Sequence, residues 1–364
     1  MKIKKKLQKI FKIFFQKIFF LIYGKVLFEK NYNFLKDNIL NRKDKVVVDN
    51  CEYYCFTITN GRIYTDLVEN VAAISNNNLV VGTGFQKING ILKDEMDNIC
   101  LKKGTPRIKI KKAGTLLALI QDGSENNYSH WLFDILPRLK IIEKNNLIKK
   151  IDYFLLPELK YSFQYETLKL LNISTKKILS NRKNRHIEAE KLIVTDHPWY
   201  KKGHVQDEMI NMPEWIILWL REKFLPSKIN KNINNKIYID RSDSLFNHCK
   251  IINSEEVWSF LKKRGFKKLK LTEIDFKEQV SLFNAADVVI GAHGAGLSNI
   301  IFSKPETKII EIQPNNHVNE FFTQVSKINK LNYKKIISKD IRLSADNNIG
   351  DIFVDLEDIN KLLI

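Results

Sequence analysis

The chain carries 364 residues, 60 Lys+Arg against 41 Asp+Glu for a formal net charge of +19, four Cys and seven His. A hydrophobic share of 44% with 11% aromatic side chains excludes a wholly disordered polymer, and the length suits two domains. Four cysteines, with Cys51 and Cys55 as the one C-x-x-x-C pair, exclude a disulfide framework and offer no zinc-finger or thioredoxin-like spacing, which fits a reducing compartment.

The basic charge has one focus. Residues 1–30 hold nine Lys and one Glu, and the rest is spread thinly without the clustered Arg and aromatics of a nucleic-acid surface, so no nucleic-acid partner is expected. In this segment Ile3, Leu7, Ile10, Phe11, Phe14, Ile18, Leu21 and Ile22 recur at helical spacing, with lysines filling much of the opposite face. The charge-free run from Ile18 to Gly24 is far short of the ~20 apolar residues that span a bilayer. No small-residue cleavage site follows, so a secretory signal is not expected. The spacing predicts a basic amphipathic helix, either lying on an anionic membrane surface or packed on the protein itself.

Residues 60–114 read as loop-like, with short alternation at 107–111. The run 116–121 reads as a buried strand ending in a turn at Asp122-Gly123, and 129–143 has helical spacing. Strands are expected at 151–156 and 191–195, with helices at 161–171 and 215–224. The polar stretch 225–236, with Pro226, reads as a linker. Beyond it, strands at 237–240, 267–271, 287–290 and 308–312 alternate with helices at 254–264, 276–284, 297–302 and 318–327. That alternation predicts a parallel sheet covered on both faces, with ligands at the carboxyl ends of its strands.

At one such end, Gly291-Ala292-His293-Gly294-Ala295-Gly296 joins a strand to a helix. Small residues let a ligand approach the backbone, and N–H groups at a helix start attract anions. His293 and Ser298 add donors one turn apart, giving a candidate diphosphate cradle. The spacing is neither the G-x-G-x-x-G of dinucleotide folds nor a lysine-bearing phosphate loop. Arg241 ends one neighbouring strand, where a guanidinium can pair with phosphate oxygens. Glu311 ends another, where a carboxylate can accept ribose hydroxyls.

The other constellation is Asn127-Tyr128-Ser129-His130-Trp131-Leu132-Phe133-Asp134, followed by Leu136-Pro137-Arg138. On a helix, His130 and Asp134 share a face. They form a candidate pair for general base catalysis, with Asp134 as base and His130 orienting it or the substrate. Asp196, His197 and His204 fit no standard zinc pattern; their segment reads as a loop at an interdomain cleft, with Trp199-Tyr200 either packed within the loop or placed to stack on a sugar. His186, His248 and His317 carry no assignable signal.

Together and in this order, the 127–138 and 291–297 segments, with Asn299, resemble glycosyltransferase family 61. A looser match takes in Tyr238-Ile239-Asp240-Arg241, Ile252-Asn253 and Glu255-Glu256-Val257, so the resemblance spans residues 115–315. It implies an α/β protein of GT-B type, two Rossmann-like domains facing a cleft. The expected domains are an amphipathic basic membrane-surface segment at 1–30, an acceptor-side α/β domain at 31–225 and a nucleotide-sugar-binding domain at 226–364. It further implies inverting transfer from a nucleotide-diphosphate sugar to a hydroxyl of a glycan or lipid-linked glycan, as in bacterial capsule, lipopolysaccharide or exopolysaccharide assembly. The implied donor-binding residues are Arg241, Lys250, Gly291, His293, Gly294, Ala295, Gly296, Leu297, Ser298 and Glu311. Family members often carry an Arg pair where this chain has Cys249-Lys250, and a lysine is a monodentate substitute. No cofactor and no obligatory metal are expected, and the location implied is the cytoplasmic face of an inner membrane. Two other classes compete. An NAD-linked oxidoreductase would need an early glycine fingerprint, and Gly82-Thr83-Gly84 is not followed by a helical pattern. A non-catalytic nucleotide-binding protein on a degenerate transferase fold would share every fold feature.

Overall fold

The computed structural model describes residues 2–28, 41–65, 71–80, 87–88, 91–92, 94–121, 123–199, 203–204, 209–226, 235–244, 248–339, 341–344 and 347–364. Most of the linker expected at 225–236, together with Gly82-Thr83-Gly84, Asp122 and Tyr200, lies outside the described residues. The protein is α/β with parallel sheets. Its chain divides into two compact units, one made of Met1–Lys160 and Ile173–Asn211, the other of Tyr161–Asn172 and Met212–Ile364.

The first unit begins with the helix Lys2–Tyr23. Among the described residues, no helix is long and apolar enough to cross a membrane. Strands β1 (Asn41–Val48), β2 (Cys51–Tyr64), β3 (Ala72–Ser75) and β4 (Asn78–Leu79) then form an antiparallel meander. This corrects the loop-like reading of residues 60–114. The turns are Asp49-Asn50 and Asn76-Asn77, all four at positive φ, the conformation that tight hairpins require and Asn or Asp supplies. Short strands β5 (Lys87–Ile88) and β6 (Ile91–Leu92) follow, then β7 (Ile110–Ala118), β8 (Tyr153–Leu156), β9 (Ile178–Ser180), β10 (His186–Thr195) and β11 (Gly203–His204). The main sheet runs β4-β3-β2-β10-β7-β8-β9, with β1 also on β2. Only β10, β7, β8 and β9 are parallel neighbours, so half of this sheet departs from the Rossmann-like pattern expected. Phe56, Ile58, Leu116, Ala118, Leu155, Leu192 and Val194 pack in one buried cluster of this unit.

The second unit holds β12 (Asn235–Ile239), β13 (Phe266–Leu269), β14 (Ala286–Ala292), β15 (Lys308–Pro314) and β16 (Asn332–Ser338), all parallel, in the order β13-β12-β14-β15-β16. Runs such as Val288-Val289-Ile290 and Ile309-Ile310 suit strands buried on both faces. The expected helices form as Ser254–Lys262, Phe276–Ala285 and Phe321–Ile328, while Ala295–Phe302 is a 3-10 helix. Strand β16, the ribbon of β17 (Ile341–Ser344) and β18 (Asn347–Ile352), and the helix Leu356–Leu363 were not anticipated. The helix Ser162–Leu170 belongs to this unit, where Glu166 accepts the N–H of Phe276 at 2.8 Å. Strand order reverses direction between β12 and β14, which makes their carboxyl ends the switch point where open α/β sheets bind ligands.

Candidate active site

In the first unit, β7 leads into buried Leu119, Ile120 and Gln121. Asn127 then caps a new helix, its side chain accepting the N–H groups of Ser129 and His130. Over Trp131–Ile135 the helix widens into a π turn, closed by Leu136 N–H to the Trp131 carbonyl at 3.2 Å, and Pro137 restarts an α-helix over Pro137–Lys144. Single π turns recur at functional sites.

Asp134 lies in that turn and is wholly buried. Its Oδ2 accepts from Gln121 Nε2 at 2.9 Å and lies 2.8 Å from His130 Nδ1; its Oδ1 accepts from Trp199 Nε1 at 2.8 Å. Two fixed donors, Gln121 Nε2 and Trp199 Nε1, favour the ionised carboxylate. Arg138, also wholly buried, fixes the arrangement from behind: Nη2 donates to Gln121 Oε1 at 2.9 Å and Nε to the Asp134 carbonyl at 3.1 Å. Gln121 Oε1 must accept from Arg138, so its Nε2 must turn to Asp134. An ionised Asp134 only accepts, so His130 Nδ1 carries the proton of this bond. The His130 side chain is 26% exposed against 1% for Asp134. Gly123, at φ +80°, lies so close that a Cβ there would be 2.4 Å from His130 Cδ2.

Sequence reading paired His130 with Asp134 but missed Gln121, whose only signal was its place at the end of a buried strand. Trp199 follows the packed-loop reading of its segment: it is buried and donates to Asp134. His197 is buried beside it, with Nε2 3.7 Å from Asp134 Oδ1. Among the described residues, no group of three or more His, Cys, Asp or Glu converges as for a metal ion.

In the second unit, Ile239 of β12, Gly291 of β14 and Glu311 of β15 are level in register, so the expected strand ends do come together. Arg241 follows β12 and rests on the glycine turn: a Cβ on Gly294 would lie 1.2 Å from Arg241 Nη1. Nη2 donates to the His248 carbonyl at 3.3 Å and to Ser244 Oγ at 3.4 Å, while Nε is buried with no hydrogen-bond partner among the described residues. Burial lowers the Arg241 pKa, and the guanidinium forms no ion pair with a described carboxylate. Beside it opens a pocket of about 210 Å³ lined by Tyr238, Asp240, Arg241, Lys250, Ser254 and Ala292, among others. In the turn itself, Leu297 N–H closes on the Gly294 carbonyl at 3.0 Å, which leaves the N–H groups of Ala295 and Gly296 at the start of the 3-10 helix without acceptors inside it.

Other expected donor ligands lie elsewhere. Glu311 is wholly buried; its Oε1 lies 2.5 Å from His293 Nδ1 and its Oε2 accepts from the Tyr333 hydroxyl, so neither oxygen points to a ribose. Asn319 Oδ1 accepts the Phe321 N–H at 3.2 Å, which turns Nδ2 to His293 Nε2 at 3.0 Å. Both His293 nitrogens are thus held inside the protein. Leu297 and Ser298 are core residues, and the Ser298 hydroxyl has no partner in the structure. His248 and His317, unassigned in sequence, join this neighbourhood. Burial, then the Arg241 charge, lowers His248 to about 4, and the His317 ring stands 5.6 Å from that of His293.

The family description Glycosyltransferase 61 matches residues 128–310, half of the chain, and takes in both clusters. The chain belongs to glycosyltransferase family 61. It is 30% identical over 133 residues to Beta-1,2-xylosyltransferase RCN11 of Oryza sativa subsp. japonica, covering 32% of this chain and 25% of the relative. It is 28% identical over 134 residues to Beta-1,2-xylosyltransferase of Arabidopsis thaliana, covering 31% and 25%. The matched stretch spans a quarter of the length of each plant relative.

Proposed function

We propose that the protein is an inverting glycosyltransferase of GT-B type that takes its sugar from a nucleotide-diphosphate sugar. The acceptor would be a hydroxyl of a glycan or lipid-linked glycan in surface-polysaccharide assembly. The observation that carries the donor assignment is Arg241: a half-buried guanidinium set against Gly294, beside an open pocket at the sheet's switch point. A half-buried guanidinium with no ion pair among the described residues suits an anion, and a diphosphate supplies one. Lys250 and the first N–H groups of the 3-10 helix add to the same charge.

On the acceptor side, the geometry supports His130 as base in place of Asp134. The buried Asp134 holds the His130 Nδ1 proton, as in a Ser-His-Asp arrangement, so Nε2 takes the acceptor hydroxyl's proton. The oxygen then bonds to the anomeric carbon as the bond from that carbon to the diphosphate breaks. Asp134 stabilises the imidazolium formed, and the released diphosphate is met by Arg241. The plant relatives' name, Beta-1,2-xylosyltransferase, supports starting the donor panel with a xylose donor.

The test is thermal unfolding of the purified protein with UDP, GDP, CDP and dTDP and their sugars, followed by release of the diphosphate. At a hundredfold excess over Kd, the right nucleotide adds ~2.7 kcal/mol of stability. Protection by none of them overturns the donor assignment, and protection without turnover on any acceptor overturns the catalytic one.

A further inference from the structure

We propose that the N-terminal helix seats the protein on an anionic lipid surface through an apolar stripe that its own fold leaves uncovered. The helix Lys2–Tyr23 has two distinct faces. One binds the first unit: Gln16 Nε2 donates to the Lys102 carbonyl at 3.4 Å, the Phe20 ring lies where a Cβ on Gly104 would be 3.1 Å away, and Tyr23 accepts the Lys109 N–H at 3.0 Å. The Tyr23 ring also meets His186 edge-on, with centroids 5.1 Å apart. Positions 16, 20 and 23 form one helical stripe.

The stripe on the other side is the apolar one. Ile10 is 56% exposed, Phe11 63%, Phe14 59%, Leu21 88% and Ile22 60%. Soluble proteins scatter such residues singly, whereas a contiguous row of five marks a contact surface. The alternative, a helix packed on its own protein, is met in part, by the face of Gln16, Phe20 and Tyr23. Helical periodicity continues that face toward the start of the chain through Lys12.

Charge chooses the occupant. Seven lysines and no acidic residue stand among residues 1–17, and Lys12 and Lys17 are exposed. A second copy of this helix would bring like charges together, while an anionic headgroup layer complements them. Phenylalanine, isoleucine and leucine then enter the acyl boundary while lysine stems reach the headgroups, as in helices that lie in the membrane plane.

The experiment floats the full chain with vesicles of phosphatidylcholine alone or with one third phosphatidylglycerol. The wild type is expected to float with the anionic vesicles only, and to release by at least tenfold in ~0.5 M salt as the charges are screened. Phe11→Ser with Phe14→Ser should lose at least tenfold in bound fraction while the unfolding temperature holds, because both rings are exposed. Lys12→Gln with Lys17→Gln should weaken binding to anionic vesicles alone. Wild type that stays unbound on anionic vesicles overturns the proposal, as does a Phe11→Ser, Phe14→Ser variant that floats like wild type. A self-association that this variant abolishes, without vesicle binding, would instead assign the stripe to a second copy. None of these readouts uses glycosyl transfer, so they stand or fall apart from the catalytic reading.

Discussion

The Arg241 guanidinium fills the place where a side chain on residue 294 would begin: a Cβ there would stand 1.2 Å from Nη1. Glycine at 294 is therefore a requirement of the arginine as much as of the turn. Gly294→Ala should expel the guanidinium and mimic Arg241→Ala. Both are expected to weaken nucleoside-diphosphate binding by ~1.5–3 kcal/mol, the scale of a charged hydrogen bond, measured by titration calorimetry. Wild-type affinity in Gly294→Ala would mean that Arg241 does not hold the ligand.

Asp134→Asn offers His130 an amide where it had a carboxylate. The asparagine cannot accept from Gln121, Trp199 and His130 together, so the imidazole loses its fixed tautomer. Turnover should fall ~10²–10⁴-fold, with donor affinity unchanged. Steady-state kinetics beside a binding titration checks the split.

Gly123→Ala tests positioning without touching a titrating group. The added methyl would come within 2.4 Å of the His130 ring at a backbone of φ +80° that favours glycine. Turnover should drop while far-ultraviolet circular dichroism and nucleotide binding stay as in wild type. Unchanged turnover would show that His130 has room to shift.

Acid should weaken the fold. Burial lowers His186 from 6.5 to about 4, against the raising effect of its bond to the Arg107 carbonyl at 3.1 Å. A depressed histidine binds its proton more readily in the unfolded chain. Its contribution is therefore whole above pH 6.5 and is lost as pH falls toward 4, up to ~3 kcal/mol. Urea unfolding from pH 7 to 4 reads this slope, and His186→Phe should flatten it.

Tyr333→Phe removes the hydroxyl that donates to Glu311 Oε2 and leaves a buried carboxylate short of a partner. Burial, then the neighbouring Glu311, raises the Tyr333 pKa, so that hydroxyl stays a donor. The expected cost is ~1–3 kcal/mol in chemical unfolding. A neutral result would mean that water replaces the tyrosine.

Sequence was most legible where pattern and architecture coincide. Apolar runs of parallel strands, such as 289–292 and 309–312, are buried on both faces and announce themselves. The pair His130 and Asp134 follows from helical spacing alone, and the π turn keeps both on one side. The antiparallel meander was hidden because its turn residues, Asp49-Asn50 and Asn76-Asn77, sit in a chain rich in asparagine. Gln121, Trp199, Asn319 and Tyr333 join their sites from distant segments, so only tertiary structure names them. His293 and Glu311 illustrate the converse. Their residue types suit a ligand, yet the fold spends them on each other.

The most direct test of the central claim, base catalysis by His130 on a bound nucleotide sugar, is kcat and donor Kd measured side by side for His130→Ala. The expected result is a Kd within about twofold of wild type and a kcat lower by ~10²–10⁴-fold. Turnover of that variant at the wild-type rate would contradict it.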